Sequence, residues 1–285
     1  MKWVKLIDYS VLIEYFVKSK NQLTQTTQRN YTTLLHLFLE FCEQIGLDLL
    51  LITGEEIMQF LNRYTLKSTK VTYYVILHLF YRWCIENHLV YNNPFRDLKP
   101  PNGKKKQRQS LSESEFALML QHNPKIRDVC LLSTLWYTGM RGKELRNLRI
   151  IDIDLQRNLI YVSKSKTFSG QRYIPIHPKL RQVVLDYIRF RKSLRSKLPW
   201  VFLTKDYRKI ADRTIIGYIS KYQNYLPFHY TCHDFRRSFI TRLYNKSGDI
   251  ILCQRLAGHV DIKTTQLYII SDIQRDATIF NNIDF

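Results

Sequence analysis

Residues His233–Tyr268 read HDFRRSFITRLYNKSGDIILCQRLAGHVDIKTTQLY, and this stretch decides how the rest of the chain is read. Phe235, Phe239, Ile240 and Leu243 recur at helical spacing after His233, and Leu252, Leu256 and Ala257 do the same before Gly258-His259. Helices packed on these stripes hold the few polar landmarks in place: His233, Arg236, His259 and, nine residues beyond His259 and just past Thr264-Thr265, Tyr268. A guanidinium, two imidazoles and a phenol so delivered can serve one anionic phosphorus centre.

Two pieces upstream complete the set. Thr138–Leu145, TGMRGKEL, sets Arg141 just past a turn with the Glu144 carboxylate three residues on. Tyr161–Arg172, YVSKSKTFSGQR, reads as a basic hairpin running into Tyr173-Ile174-Pro175-Ile176. In order, the chain therefore carries T-G-x-R-x-x-E-L, a hairpin lysine before R-x-x-P, H-x-x-R, and G-H followed nine residues later by Y. With these patterns it resembles the tyrosine recombinase family of site-specific DNA recombinases, the phage integrases and Xer-like enzymes. Each pattern alone is weak, and the ordered set is strong. In catalytic positions the resemblance covers about residues 112–268.

Composition agrees. A chain of 285 residues with 45% hydrophobic residues and only 9 Gly and 8 Pro is a folded protein long enough for two cores. Its net charge of +20 is unevenly spread: residues 1–100 carry 11 Lys+Arg against 9 Asp+Glu, and the remainder carries the other 33 against 15. A basic excess concentrated in one part is the footprint of a polyanion, nucleic acid or an anionic surface. No apolar run approaches the ~20 residues that span a bilayer, and the alternating charges of the N-terminus do not form a signal peptide. Five scattered cysteines, Cys42, Cys84, Cys130, Cys232 and Cys253, read as thiols of a reducing cytoplasm. The spacing of Cys232, His233, Cys253 and His259 fits no usual zinc pattern, so neither metal nor cofactor is expected.

In chain order, residues 8–18 form a short helix with Leu12, Tyr15 and Phe16 inward, and Thr26 and Thr27 cap a longer one that Gly46 stops. Thr53-Gly54-Glu55-Glu56 is a capping box for a third helix, and a fourth runs from Ser68 to about Asn87. Four helices with short connections make an α-bundle over residues 1–99. Residues 100–110, rich in Pro, Gly and Lys, read as a basic linker. In 111–285, Ser112-x-x-Glu115 caps the first helix, and two or three strands lie between Arg149 and Ile176. Helices then resume at about 178–192, 212–224, 234–244, 249–256 and 262–268, with one further candidate at 272–280. The expected fold is mainly α with a small antiparallel β-sheet: a helical bundle followed by an α+β domain.

The chemistry follows from the residue types. A tyrosine oxygen can form a covalent 3′-phosphotyrosine, splitting one hard displacement into two reversible ones. Arginine grips phosphate bidentately and keeps its charge, and histidine works as acid or base near neutral pH. The resemblance implies that Arg141 and Arg236 clamp the scissile phosphate, that Glu144 orients Arg141, and that His233 and His259 bond the phosphate and help deprotonate the phenol. It implies Tyr268 as nucleophile and a hairpin lysine as the acid for the leaving 5′ oxygen: Lys166, with Lys164 on the same strand face as the alternative. Three departures stand out: Lys166 lies one residue farther from Arg172 and Pro175 than is usual, Arg237 follows Arg236 where histidine is common, and Ile269-Ile270 follow Tyr268 in place of Thr-His.

The resemblance further implies a core-binding N-terminal domain that closes over double-stranded DNA, a homotetramer on paired recombination sites, and a Holliday-junction intermediate. Ile269–Phe285 is then expected to pack on a neighbouring protomer. Candidate DNA contacts are Arg29, Arg63, Lys67, Lys70, Lys104, Lys105, Lys106, Arg108, Lys164, Arg172 and Arg237. The competing readings are a non-catalytic DNA-binding regulator and a type IB topoisomerase, which shares the phosphotyrosine chemistry but relaxes supercoils without paired sites. The expected location is cytoplasmic, with no membrane partner.

Overall fold

The structure is a computed structural model of the full chain, and it describes residues 8–101, 110–121, 124–163, 171–224, 226–259 and 261–266. The chain divides into two compact units, Met1–Lys106 and Gln107–Phe285. Among the described residues no helix is long and apolar enough to cross a membrane.

The first unit contains α1 (Tyr9–Ser19), α2 (Gln25–Gln44), α3 (Gly54–Asn62) and α4 (Lys67–Glu86). Side chains that accept orphan amide protons start three of them: Asp8 for α1, Thr24 for α2, and the Thr53/Glu56 capping box for α3. Thr24, not Thr26 or Thr27, caps α2, its hydroxyl accepting from the Thr27 amide at 3.4 Å. Gly46 ends that helix with φ +70°. The core is aromatic: Phe38 meets Phe60 edge-on at 4.9 Å, and Phe16 meets Phe80 at 5.3 Å. Each such ring stabilises the unit by about 1.5–3 kcal/mol through burial. Phe16 is wholly buried but Tyr15, expected beside it, is 65% exposed. Tyrosine sits at ease on either side of an amphipathic boundary, and the α1 stripe runs through Ile13, Phe16 and Val17 instead.

The second unit contains α5 (Glu113–Gln121), α6 (Ile126–Thr138), α7 (Gly142–Asn147), α8 (Pro178–Ser193), α9 (Asp212–Lys221), α10 (Cys232–Ser247), α11 (Ile250–Ala257) and α12 (Ile262–Gln266). Between α7 and α8 lies an antiparallel sheet in the order β1 (Ile153–Asp154), β2 (Leu159–Val162), β3 (Arg172–Pro175). Its β2–β3 register pairs Ile160 with Ile174 and Val162 with Arg172. Ile160, Val162 and Ile174 face a core completed by Leu131, Leu132, Leu135 and Trp136 of α6 and Phe235 of α10. A smaller apolar cluster of Phe239, Ile240, Cys253 and Ala257 packs α10 on α11 and so fixes where α11 ends. Helix α9 stops at Lys221, short of the expected Asn224, while α10 is longer at both ends than its apolar stripe suggests. The expected helix at 272–280 lies outside the described residues.

Candidate active site

The site is assembled from helix ends. Helix α6 stops at Gly139, whose φ of +59° turns the chain left-handedly. A β-carbon there would run into the Phe239 ring, so glycine is required twice over, by conformation and by space. Two residues later Arg141 begins α7. The Glu144 carboxylate reaches back to accept from the Arg141 amide at 2.9 Å and from Arg141 Nη1 at 2.9 Å. Thus the turn that ends one helix and the box that starts the next together aim one guanidinium, which stays about one-third exposed at 35%.

Helix α10 begins in the same manner, with the Asp234 carboxylate accepting from Thr231 N at 2.8 Å and Thr231 Oγ1 at 2.7 Å. His233 lies in its first turn and is exposed. Arg236, one turn further along that helix, is 1% exposed and donates to two main-chain carbonyls, Gly139 O at 2.9 Å and Ala257 O at 2.5 Å. It therefore ties the end of α6 to the end of α11.

The end of α11 gathers the site. A helix leaves its last carbonyls without intrahelical partners and carries partial negative charge there. Here three consecutive carbonyls each accept from a different arginine: Leu256 O from Arg172 Nε at 2.6 Å, Ala257 O from Arg236 Nη2 at 2.5 Å, and Gly258 O from Arg141 Nη2 at 3.2 Å. Arg172 also donates to Glu144, with Nη2–Oε2 at 3.0 Å and Nη1–Oε1 at 3.2 Å. Among the described residues, three guanidinium groups and one carboxylate share this helix end.

His259 follows directly. Gly258, at φ +69°, turns the chain out of α11, and His259 lies 7% exposed with Nδ1 at 2.8 Å from Thr265 Oγ1 on α12. Burial, then the positive charges of Arg236, Arg141 and Arg172, push its imidazole down to about 3. His259 is accordingly neutral at physiological pH. For Glu144, burial alone would raise the carboxyl, but hydrogen bonds and charge from Arg172 and then Arg141 outweigh it and hold the group below the usual carboxylate range. The whole arrangement is a rigid cationic seat beside a neutral imidazole, suited to an anion on which negative charge grows during reaction.

Of the residues expected from sequence, Arg141, Glu144, Arg236 and His259 are brought together by these bonds, and His233 sits on the same helix as Arg236. Tyr268, Lys164 and Lys166 lie outside the described residues, as do Lys104, Lys105, Lys106 and Arg108. Arg29 and Lys67 are exposed on the first unit, Lys70 donates to Asn62 at 2.9 Å, and Arg63 lies over the Phe41 ring at 5.5 Å. Arg237 is half-buried.

Arg172 requires a correction. Expected among the DNA contacts, it is 7% exposed and turned into the site. The signal was in the strand: alternation places Arg172 on the face of Ile174, which is core, while Tyr173 and Pro175 point outward. Thr265 as the partner of His259 was likewise not anticipated. Among the described residues no three His, Cys, Asp or Glu side chains gather as a metal site.

Comparison with known proteins gives the same direction. The model of the phage integrase family matches residues 109–275. A tyrosine recombinase XerC of Pseudomonas savastanoi pv. phaseolicola is 29% identical over 216 residues, covering 71% of this chain and 69% of that protein. A tyrosine recombinase XerA of Pyrococcus horikoshii is 30% identical over 174 residues, 60% of each. Among solved structures, the Tn1549 transposon integrase in complex with a circular-intermediate DNA superposes with a TM-score of 0.80 at 18% identity, over 96% of this chain and 99% of that one. A lambda integrase tetramer bound to a Holliday junction gives 0.71 at 20% identity, over 90% and 78%.

Proposed function

This chain belongs to the phage integrase family and is a tyrosine-type site-specific DNA recombinase; we propose that Tyr268 is its nucleophile and that Arg141 and Arg236, at the end of α11, hold the scissile phosphate. The observation that carries this reading is the seat itself: Arg141 and Arg236 fixed on adjacent carbonyls beside a buried, neutral His259. In the forward step the phenolic oxygen of Tyr268 bonds to phosphorus and its proton passes to His259. The bond to the 5′ oxygen breaks, and that oxygen takes a proton from Lys166 or Lys164. The product is a 3′-phosphotyrosine and a free 5′ hydroxyl, with bond energy retained in the adduct. The 5′ hydroxyl of another strand then reverses the step without a cofactor. As phosphorus becomes pentacoordinate its oxygens gain negative charge, and fixed guanidiniums stabilise that state more than the ground state.

Residues 1–99 then serve as the DNA-clamping core-binding domain, 100–110 as the linker and 111–285 as the catalytic domain. The functional unit is a homotetramer on paired sites, passing through a Holliday junction, in the cytoplasm. The lambda integrase tetramer on a Holliday junction supports the assembly, and the Tn1549 complexes support duplex DNA as partner. The test is covalent trapping. A duplex that the full chain retains from a random-sequence pool is nicked beside the site and incubated with the protein. We expect a denaturant-resistant adduct that vanishes in Tyr268→Phe while duplex binding persists. An adduct that survives in Tyr268→Phe overturns the assignment.

A further inference from the structure

Arg172 reaches three structural elements from the start of β3. Its Nε donates to Leu256 O at 2.6 Å, its two Nη atoms donate to Glu144 on α7, and its own strand is paired to β2 through Val162. The path of this side chain is defended by Gly258. A β-carbon on that residue would lie 2.8 Å from Arg172 Nη1 and 3.0 Å from Arg172 Cδ, so the guanidinium lies close against the backbone immediately before His259. At 7% exposure the group is too deep to serve as a roving surface cation.

We propose that Arg172 is a positioning residue of the recombinase. It fastens the sheet, through β3, to both the Glu144 carboxylate that aims Arg141 and the helix end from which His259 departs. This rests on the reading of Arg141 and His259 given above. Its physical basis is the planar fork of arginine: Nη1 and Nη2 meet the two oxygens of one carboxylate while Nε remains directed at a separate carbonyl. A lysine ammonium keeps the charge but cannot hold both partners in that geometry. Without Arg172, Glu144 keeps Arg141 alone, and Leu256 O, an orphan carbonyl of the helix end, loses its donor. Arg141 and the Gly258–His259 turn are then free to shift against each other. A displacement of about 1 Å at such a site costs on the order of 100-fold in rate.

The experiment compares full-length wild type, Arg172→Lys and Arg172→Met on the nicked duplex used above, measuring Kd against salt concentration and, separately, the first-order rate of adduct formation on saturated complex. Expected are an unchanged Kd and salt slope, a rate lower on the order of 100-fold in Arg172→Met, and a smaller loss in Arg172→Lys. The acid limb of the rate profile should also move to higher pH in Arg172→Met, because His259 loses a neighbouring positive charge. A merely structural role would lower the folded fraction and leave that profile where it was. The lysine variant keeps the question open to refutation if the methionine variant does not fold. Wild-type rates in both variants would overturn the proposal, and so would a salt slope reduced by about one, which marks a direct phosphate contact. Loss of Tyr268 dependence sinks the nucleophile assignment, whereas wild-type cleavage by the Arg172 variants with Tyr268 dependence intact sinks only the positioning role.

Discussion

The end of α8 and the end of α11 solve the same problem in two ways. Near the first, Arg191, 1% exposed, donates to Trp200 O at 3.3 Å and Leu198 O at 2.9 Å and so folds the following loop back on its helix. At the second, Arg236, also 1% exposed, donates to Gly139 O and Ala257 O. As single side chains the two are alike: a buried cation whose charge is solvated by main-chain dipoles. Their surroundings differ. Arg191 binds two carbonyls of the loop that follows its helix, while Arg236 shares three successive carbonyls with Arg141 and Arg172 beside one carboxylate and a neutral imidazole. Burial of an arginine therefore marks structure, and crowding of arginines against insufficient negative charge marks a place built for an anion.

The sharpest way to break that distinction is to make the same change on both sides. Arg236→Lys and Arg191→Lys each leave a carbonyl without its donor, so each should lose about 1–3 kcal/mol of stability. Only Arg236→Lys should also lower adduct formation by the folded protein, by roughly 100- to 1000-fold, the cost of removing one oxyanion donor. Denaturant melts and trapping on saturated duplex separate the two effects. Equal rates in the two variants would show that crowding carries no functional information.

What could be read in advance follows the range of each interaction. The capping boxes of Thr53 with Glu56 and Ser112 with Glu115 close within four residues, so composition alone revealed them. Strand alternation puts Arg172 on the inward face of β3, whereas a basic hairpin by itself suggests only a polyanion contact. The α11 carbonyls were invisible for a different reason. A carbonyl has no residue code, and two of its arginine partners lie 84 and 117 positions away. Tyr15 went astray because a tyrosine satisfies a helical stripe whether it packs inward or rests at the boundary. The resemblance to a recombinase supplied the grouping of Arg141, Arg236 and His259 before any distance was known. It did not supply the helix end that binds them together.

A second contrast concerns protons. In the unfolded chain His259 titrates near its ordinary value of about 6.5, whereas in the folded protein it stays neutral down to about 3. Below pH ~6.5 the unfolded chain thus takes up a proton that the folded one refuses, so this term is fully stabilising above that pH and is lost as pH falls towards 3. Wild type should lose a few kcal/mol more than His259→Gln across this window in denaturant melts. Bound DNA, by setting a phosphate against Arg141 and Arg236, should raise the His259 pKa, observable as a downfield-titrating ring resonance in the complex. Parallel pH profiles for wild type and variant would mean that neither burial nor the neighbouring arginines hold the His259 imidazole neutral.

The smallest effect sets two glycines against each other. Gly46 and Gly258 both end helices in the left-handed region, at φ +70° and +69°. Alanine at either position pays the left-handed cost of about 1 kcal/mol. Gly46 has no atom within 4 Å of where a β-carbon would stand, so Gly46→Ala should stop at that cost and leave adduct formation unchanged. At Gly258 the same methyl group meets Arg172 Nη1 at 2.8 Å, and room can be made only by moving the guanidinium away from Glu144 and Leu256 O or by moving the turn that carries His259. Gly258→Ala should accordingly lose more stability than Gly46→Ala and slow cleavage as well. If the two variants lose the same stability and cleave alike, Arg172 yields without consequence, and the close fit at the end of α11 is packing and nothing more.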